Sequence, residues 1–248
     1  MAVSGTTTFT VTRDQIIESA LRSLAVLEEG AQPSATTIQN SSFSLNLILK
    51  KWQSEGIKLW TVVEYTIPLS SNKTSYTIGP SASYDLNADK PLRVIQAFLR
   101  NMSVNPYIDL PMNLISQQEY NILGSKFSTG IINSVFYKPW RDYGEIKVFL
   151  TPDANTSTNY ELHLTVQRPI MDINKPNENF DFPQEWFLAL KWALVAELAS
   201  DYEKTLNDKQ YYEQKATLLK NELMDWDIEW TSTYFQPDVR GGFNRDFR

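Results

Sequence analysis

The 248-residue sequence contains no cysteine and a single histidine. The first absence excludes a disulfide framework and thiol nucleophiles, and the two together leave almost no ligands for a zinc site. No apolar run approaches the ~20 residues of a helical membrane span. The opening MAVSGTTTFTVTRDQ lacks a basic stretch followed by an apolar block, so no secretory signal is read there and synthesis in the cytoplasm is the expectation. There is no GxxxxGK[ST] phosphate loop and no GxSxG nucleophile elbow. A Gly-centred twelve-residue calcium loop is missing as well. Positive charge is also short. The net charge of −6 speaks against a protein that wraps nucleic acid, which is usually basic.

What is present is an ordinary globular balance, 42% hydrophobic and 21% charged, with length for one large domain or two small ones. The first third reads as a helical hairpin. Thr12-Arg13-Asp14-Gln15 matches a capping box. Ile16, Ile17, Ala20, Leu21, Leu24 and Leu27 follow at helical spacing, with Gly30 as the expected stop. After the turn at Gln32-Pro33-Ser34, a second helix carries Ile38, Leu45, Ile48, Leu49 and Trp52 and closes at Gly56.

The middle changes character. Trp60–Leu69, Pro91–Leu99, Ile131–Tyr137, Gly144–Leu150 and Tyr160–Gln167 are rich in β-branched and aromatic residues, with turn signals between them. Ser116–Leu123 reads as a short helix within this β region. Helix returns at Asp181-Phe182-Pro183-Gln184, which offers an N-cap, an early proline and a capping glutamine. Trp186, Phe187, Leu190, Leu194, Val195 and Leu198 form a wide apolar face. Asn207-Asp208 opens a last helix with Tyr211, Tyr212, Leu218, Leu219, Leu223 and Trp226. The expected fold is α+β: an antiparallel helical bundle built from both chain ends (1–56 and 180–230), a mostly antiparallel β region inserted at 57–179, and an extended C-terminal arm at 231–248. Leu21, Leu24, Leu45, Leu49 and Trp52 are expected to share a core with Trp186, Leu190 and Leu194, because a two-helix hairpin cannot bury an apolar face alone.

Chemistry is sparse. His163, in YELHLTVQ, falls by alternation on a polar strand face with Glu161, Thr165 and Gln167. A general base paired with Glu161 is one reading; a solvated sheet face is the simpler one. The carboxylates of Glu222-Leu223-Met224-Asp225-Trp226-Asp227-Ile228-Glu229 match no glycosidase pair or calcium loop, and they read as a solvated or lumen-facing helix edge. Seven Trp and twelve Tyr raise base stacking, but that mode needs a basic groove. No catalytic, cofactor-binding or metal-binding residue is therefore assigned.

The last eighteen residues, TSTYFQPDVRGGFNRDFR, differ from the rest. Three arginines against Asp238 and Asp246 leave this segment at +1, so residues 1–230 carry −7. Tyr234, Phe235, Gln236 and Pro237 have no periodic partner nearby, and Gly241-Gly242 supplies a hinge. Phe243 and Phe247 suit grooves on another protein, with Arg240, Arg245 and Arg248 on acidic rims, since aromatics and arginine are the usual interface anchors.

Five stretches, TRDQIIESALRSLAVLEEG, LNLILKKWQSEGIKLW, QRPIMDI, DFPQEWFLALKWALVAELASDY and TSTYFQPD, occur in an order that resembles the podovirus head-to-tail adaptor family, also called tail accessory or packaged-DNA-stabilisation proteins. The resemblance runs over nearly the whole chain; each stretch alone is weak and their co-occurrence is specific. It implies a non-enzymatic virion protein at the head–tail junction, without cofactor. Twelve copies would form a ring under the portal protein and extend the channel for packaged double-stranded DNA, and the tail tube or nozzle would dock below. The C-terminal arm, with Tyr234, Phe235, Gln236, Pro237, Arg240, Phe243 and Phe247, would reach the portal. A virion-associated wall hydrolase and a tail-tube or nozzle subunit are the alternatives.

Overall fold

The computed structural model describes residues 5, 9–56, 59–176 and 178–226. Helix α1 (Arg13–Ser23) opens on the expected capping box: Thr12 Oγ1 accepts from the Gln15 N–H, and Gln15 Oε1 accepts from the Thr12 N–H. Two N-terminal donors without helical partners are thereby satisfied. The helix stops well before Gly30. Ala25 takes a left-handed φ of 51°, its N–H bonds Arg22 O, and the Val26 N–H reaches back to Leu21 O. That pair of bonds is a Schellman stop on a residue other than glycine. Helix α2 (Ala35–Glu55) is capped by Ser34 and closes at Gly56, φ 93°, where the sequence places its end.

Among the described residues the strands form two sheets. One has the order β1 (Val62–Pro68), β9 (Tyr160–Gln167), β4 (Arg93–Asn101), β5 (Ile108–Pro111), antiparallel throughout. The other has the order β3 (Leu86–Asn87), β2 (Ser75–Gly79), β8 (Gly144–Phe149), β7 (Ser134–Pro139), β6 (Asn113–Leu114), and only its two-residue outer strands pair in parallel. The molecule is thus mixed α+β with two sheets. Helix α3 (Gln117–Ile122) lies where the sequence places it, inside a capping box between Ser116 and Glu119. Helix α4 (Ala154–Asn159) follows the turn signal at Thr151-Pro152-Asp153 and has no signal of its own in the sequence reading. It contains no large apolar residue and forms because Asp153 accepts the Thr156 N–H while Ser157 and Thr158 bond back to Ala154 O.

Buried apolar side chains fall into two clusters. Ile67, Ile78, Leu99, Val135, Ile146, Val148, Leu162, Leu164 and Val166 fill the first, contributed by both sheets. The second joins Ile16, Ile17, Leu21 and Leu24 to Leu45, Leu49 and Trp52, and these to Trp186, Leu190 and Leu194 of α5 (Phe187–Asp201). Helices from the first and last thirds therefore share one core, as the patterning predicts. At its edge Trp52, Trp60, Phe182 and Trp186 pack ring against ring, centroids 5.1 to 6.2 Å apart, within the range where aromatic pairs attract beyond their area.

The chain returns from β9 to α5 through a segment stitched to both. The Arg168 guanidinium grips Asp181 with two bonds, 2.5 and 2.8 Å. The Ile170 N–H donates to Gln53 Oε1, Lys50 Nζ donates to Ile170 O, and the Asn46 amide bonds both backbone groups of Ile173. The expectation that Asp181 caps α5 is corrected here. Its carboxylate is committed to Arg168, a stronger bidentate partner than a helix N–H. The helix instead enters through a 3₁₀ turn at Gln184–Trp186, directly after Pro183.

Candidate functional site

His163 is not on a solvated face. Its side chain is 5% exposed, and its ring lies flat on Phe98 with centroids 4.9 Å apart and 11° between planes. Register explains the placement, because Phe98 on β4 and Thr66 on β1 stand directly opposite His163 on β9. Nδ1 lies 2.7 Å from Glu64 Oε1, and a carboxylate only accepts, so Nδ1 carries the proton. Nε2 is buried without a hydrogen-bond partner among the described residues, and Glu161 stands 3.7 Å away. Glu161 is thus within ion-pair distance of the ring and beyond hydrogen-bond reach. The surroundings are settled as well. Arg100 holds Asp109 by two bonds of 2.8 Å, and this hydrogen bonding keeps the Asp109 carboxyl below the usual carboxylate range. Among the described residues no group of three or more His, Asp or Glu side chains is placed to hold a metal ion.

The surface that stands out is helical. Helix α6 (Leu206–Trp226) starts on Thr205, whose Oγ1 accepts the Asp208 N–H while its hydroxyl donates to Asp208 Oδ2. None of its twenty-one residues is buried. Tyr212, Leu219, Leu223 and Met224 lean on the helical core, and Lys220 is tied to Glu55 of α2 by a 2.6 Å ion pair. Tyr211, Leu218 (59% exposed) and Trp226 (73%) are uncovered. The apolar side chains that the sequence places on this helix thus fall into a packed set and an exposed set. Between α2, α5 and α6 runs a groove of about 330 Å³ lined by Trp52, Ala193, Ala196, Glu197, Glu213 and Lys220 among others. On α2, Phe43 and Leu47 are exposed too. The sequence does carry a signal for that pair, one turn apart and out of phase with the buried Leu45, Leu49 and Trp52, but a pattern search for cores passes over it.

Glu222 and Asp225 stand exposed on the last turns of α6, which agrees with a solvated acidic edge. The arm residues Tyr234, Phe235, Gln236, Pro237, Arg240, Phe243 and Phe247 lie outside the described residues. No protein-family model matches the chain, and no curated protein matches it in sequence.

Proposed function

We propose that the chain is the head-to-tail adaptor subunit of a podovirus virion. It is a structural protein, not an enzyme: a bundle of helices from both chain ends (1–56 and 180–230) carrying the inserted β region 57–179. Twelve copies assemble below the portal ring, prolong the DNA channel, retain packaged DNA and offer the docking platform for the tail nozzle. The observation that carries the reading is α6. A twenty-one-residue helix that buries no side chain and leaves Tyr211, Leu218 and Trp226 uncovered offers apolar surface for assembly to cover. The engaged and buried His163 supports a structural role over a hydrolytic one.

In this reading the segment 231–248 is the portal-binding arm, and the −7 carried by residues 1–230 keeps the channel wall repulsive to sliding DNA. The test is mass in solution with and without purified portal protein. Assembly into a ring on the portal is expected, while a chain that stays monomeric and unbound overturns the proposal. Removing residues 231–248 should abolish portal binding and move Tm by no more than a few degrees, because the arm adds little to the intramolecular core. Full binding by the truncated chain would reject the arm assignment. Micromolar binding of the free protein to duplex DNA at low salt, where phosphate contacts are strongest, would reject the sliding channel.

A further inference from the structure

Two ammonium groups converge on one indole. Lys215 Nζ lies 3.6 Å from the ring centroid of Trp192, and Lys191 Nζ lies 5.6 Å from it. Burial pushes the Lys191 ammonium below the ordinary lysine range and the like charge of Lys215 pushes it further, with no carboxylate acting on it among the described residues. The patch is therefore a site where positive charge is held against both desolvation and repulsion, in a protein whose net charge is −6. The far end of the same helix shows the converse. Glu222 and Asp225 stand exposed toward the last described residues of α6, and Trp226 is uncovered beside them. Ten residues of helix, about 15 Å, separate Lys215 from Asp225, so within one rigid helix the two patches cannot meet.

Resting on the ring-forming reading above, we propose that a second copy of this chain docks its α6 C-terminal turns, with Glu222, Asp225 and Trp226, against Lys191, Trp192 and Lys215 of the first. Glu222 and Trp226 are four residues apart and Asp225 is three from Glu222, so all three share one helix face. The carboxylates supply the counter-charge that the lysines lack, and the second indole completes an aromatic and cationic anchor of the kind that dominates interfaces. Each copy offers one patch and receives the other, and such head-to-tail contacts build a ring where the rotation closes and an open filament where it does not.

The experiment is sedimentation of the full chain over a range of concentration and salt. Self-association should weaken as salt rises. Lys191→Glu with Lys215→Glu, and separately Glu222→Lys with Asp225→Lys, should each weaken it by at least about tenfold, because like charges then face each other. Mixing the two variants, or combining all four changes in one chain, should restore association, since the reversed charges again match. The acidic-end variant alters only exposed positions, so a folding defect in the lysine variant does not void the test. Association untouched by either reversal, or no recovery on mixing, overturns this contact and leaves the ring reading standing. A wild-type chain that is monomeric at every concentration and on the portal overturns both. Loss of single-stranded oligonucleotide binding in the lysine variant, with association intact, would assign the patch to a phosphate ligand and overturn the proposal.

Discussion

Helices α5 and α6 lie side by side and differ in almost every respect. Seven of the fifteen residues of α5 are buried, among them Leu190, Leu194 and Val195 at 0% exposure, whereas α6 buries none of its twenty-one. A helix rich in apolar residues belongs inside a fold, and one with a mixed, mostly polar surface stays at its edge. Helix α5 is held by its own chain. Helix α6 is half held, through Tyr212, Leu219 and Leu223, and leaves Tyr211, Leu218 and Trp226 exposed. Position in sequence therefore says little about role; the way the apolar residues divide around the helix says more.

The contrast can be broken most directly at Leu190. Leu190→Ala should destabilise the protein by about 2–5 kcal/mol, as truncation of a fully buried leucine does, and urea denaturation with unchanged m would measure it. A loss under ~1 kcal/mol would mean that α5 is not the core helix the burial implies. Leu219→Ala, on the inner side of α6, should cost less, about 1 kcal/mol, since a half-buried side chain forfeits only part of its transfer energy. A cost equal to that of Leu190→Ala would erase the distinction between the helices. Thr205→Ala removes the hydroxyl that caps α6 and should cost about 1 kcal/mol or less. Its clearer sign is hydrogen exchange: α6 amides should lose protection while α5 amides keep theirs. If both helices lose protection together, they form one cooperative unit. Leu218→Ser should be the smallest effect, within about 0.5 kcal/mol in the isolated chain, yet it should reduce self-association. A large fall in Tm would show that Leu218 packs internally.

How legible all this was in the sequence depends on whether a residue's partner lies nearby in the chain. The capping box at Thr12 and Gln15, the end of α2 at Gly56 and the short helix after Ser116 are local, made by residues within four positions, and the sequence states them. The shared core of Leu21, Leu49 and Leu190 was legible because an unpaired amphipathic hairpin demands a cover. Strand β2 escaped because Ser75–Gly79 has only Tyr76 and Ile78 to alternate, too short a signal to separate from a loop. The end of α1 was misplaced because Leu24 and Leu27 extend the helical period past a stop formed by Ala25, which carries no glycine signal. The burial of His163 and the capture of Asp181 by Arg168 depend on residues on other strands or beyond a turn. Alternation assigns a face of a strand, but it does not reveal that a phenylalanine from the next strand roofs that face.

The stitched return from β9 to α5 has a mechanical consequence. A pull or twist applied to the four-stranded sheet does not reach the helices through a slack tether. It arrives at Arg168 and divides: one branch crosses the two-pronged grip on Asp181, and the other passes from Ile170 and Ile173 into α2 through Asn46, Lys50 and Gln53. These bonds run between separate stretches of chain, so under tension they share the strain in parallel instead of opening one after another. The junction acts as a stiff lever, and torque at the sheet becomes displacement at the helices.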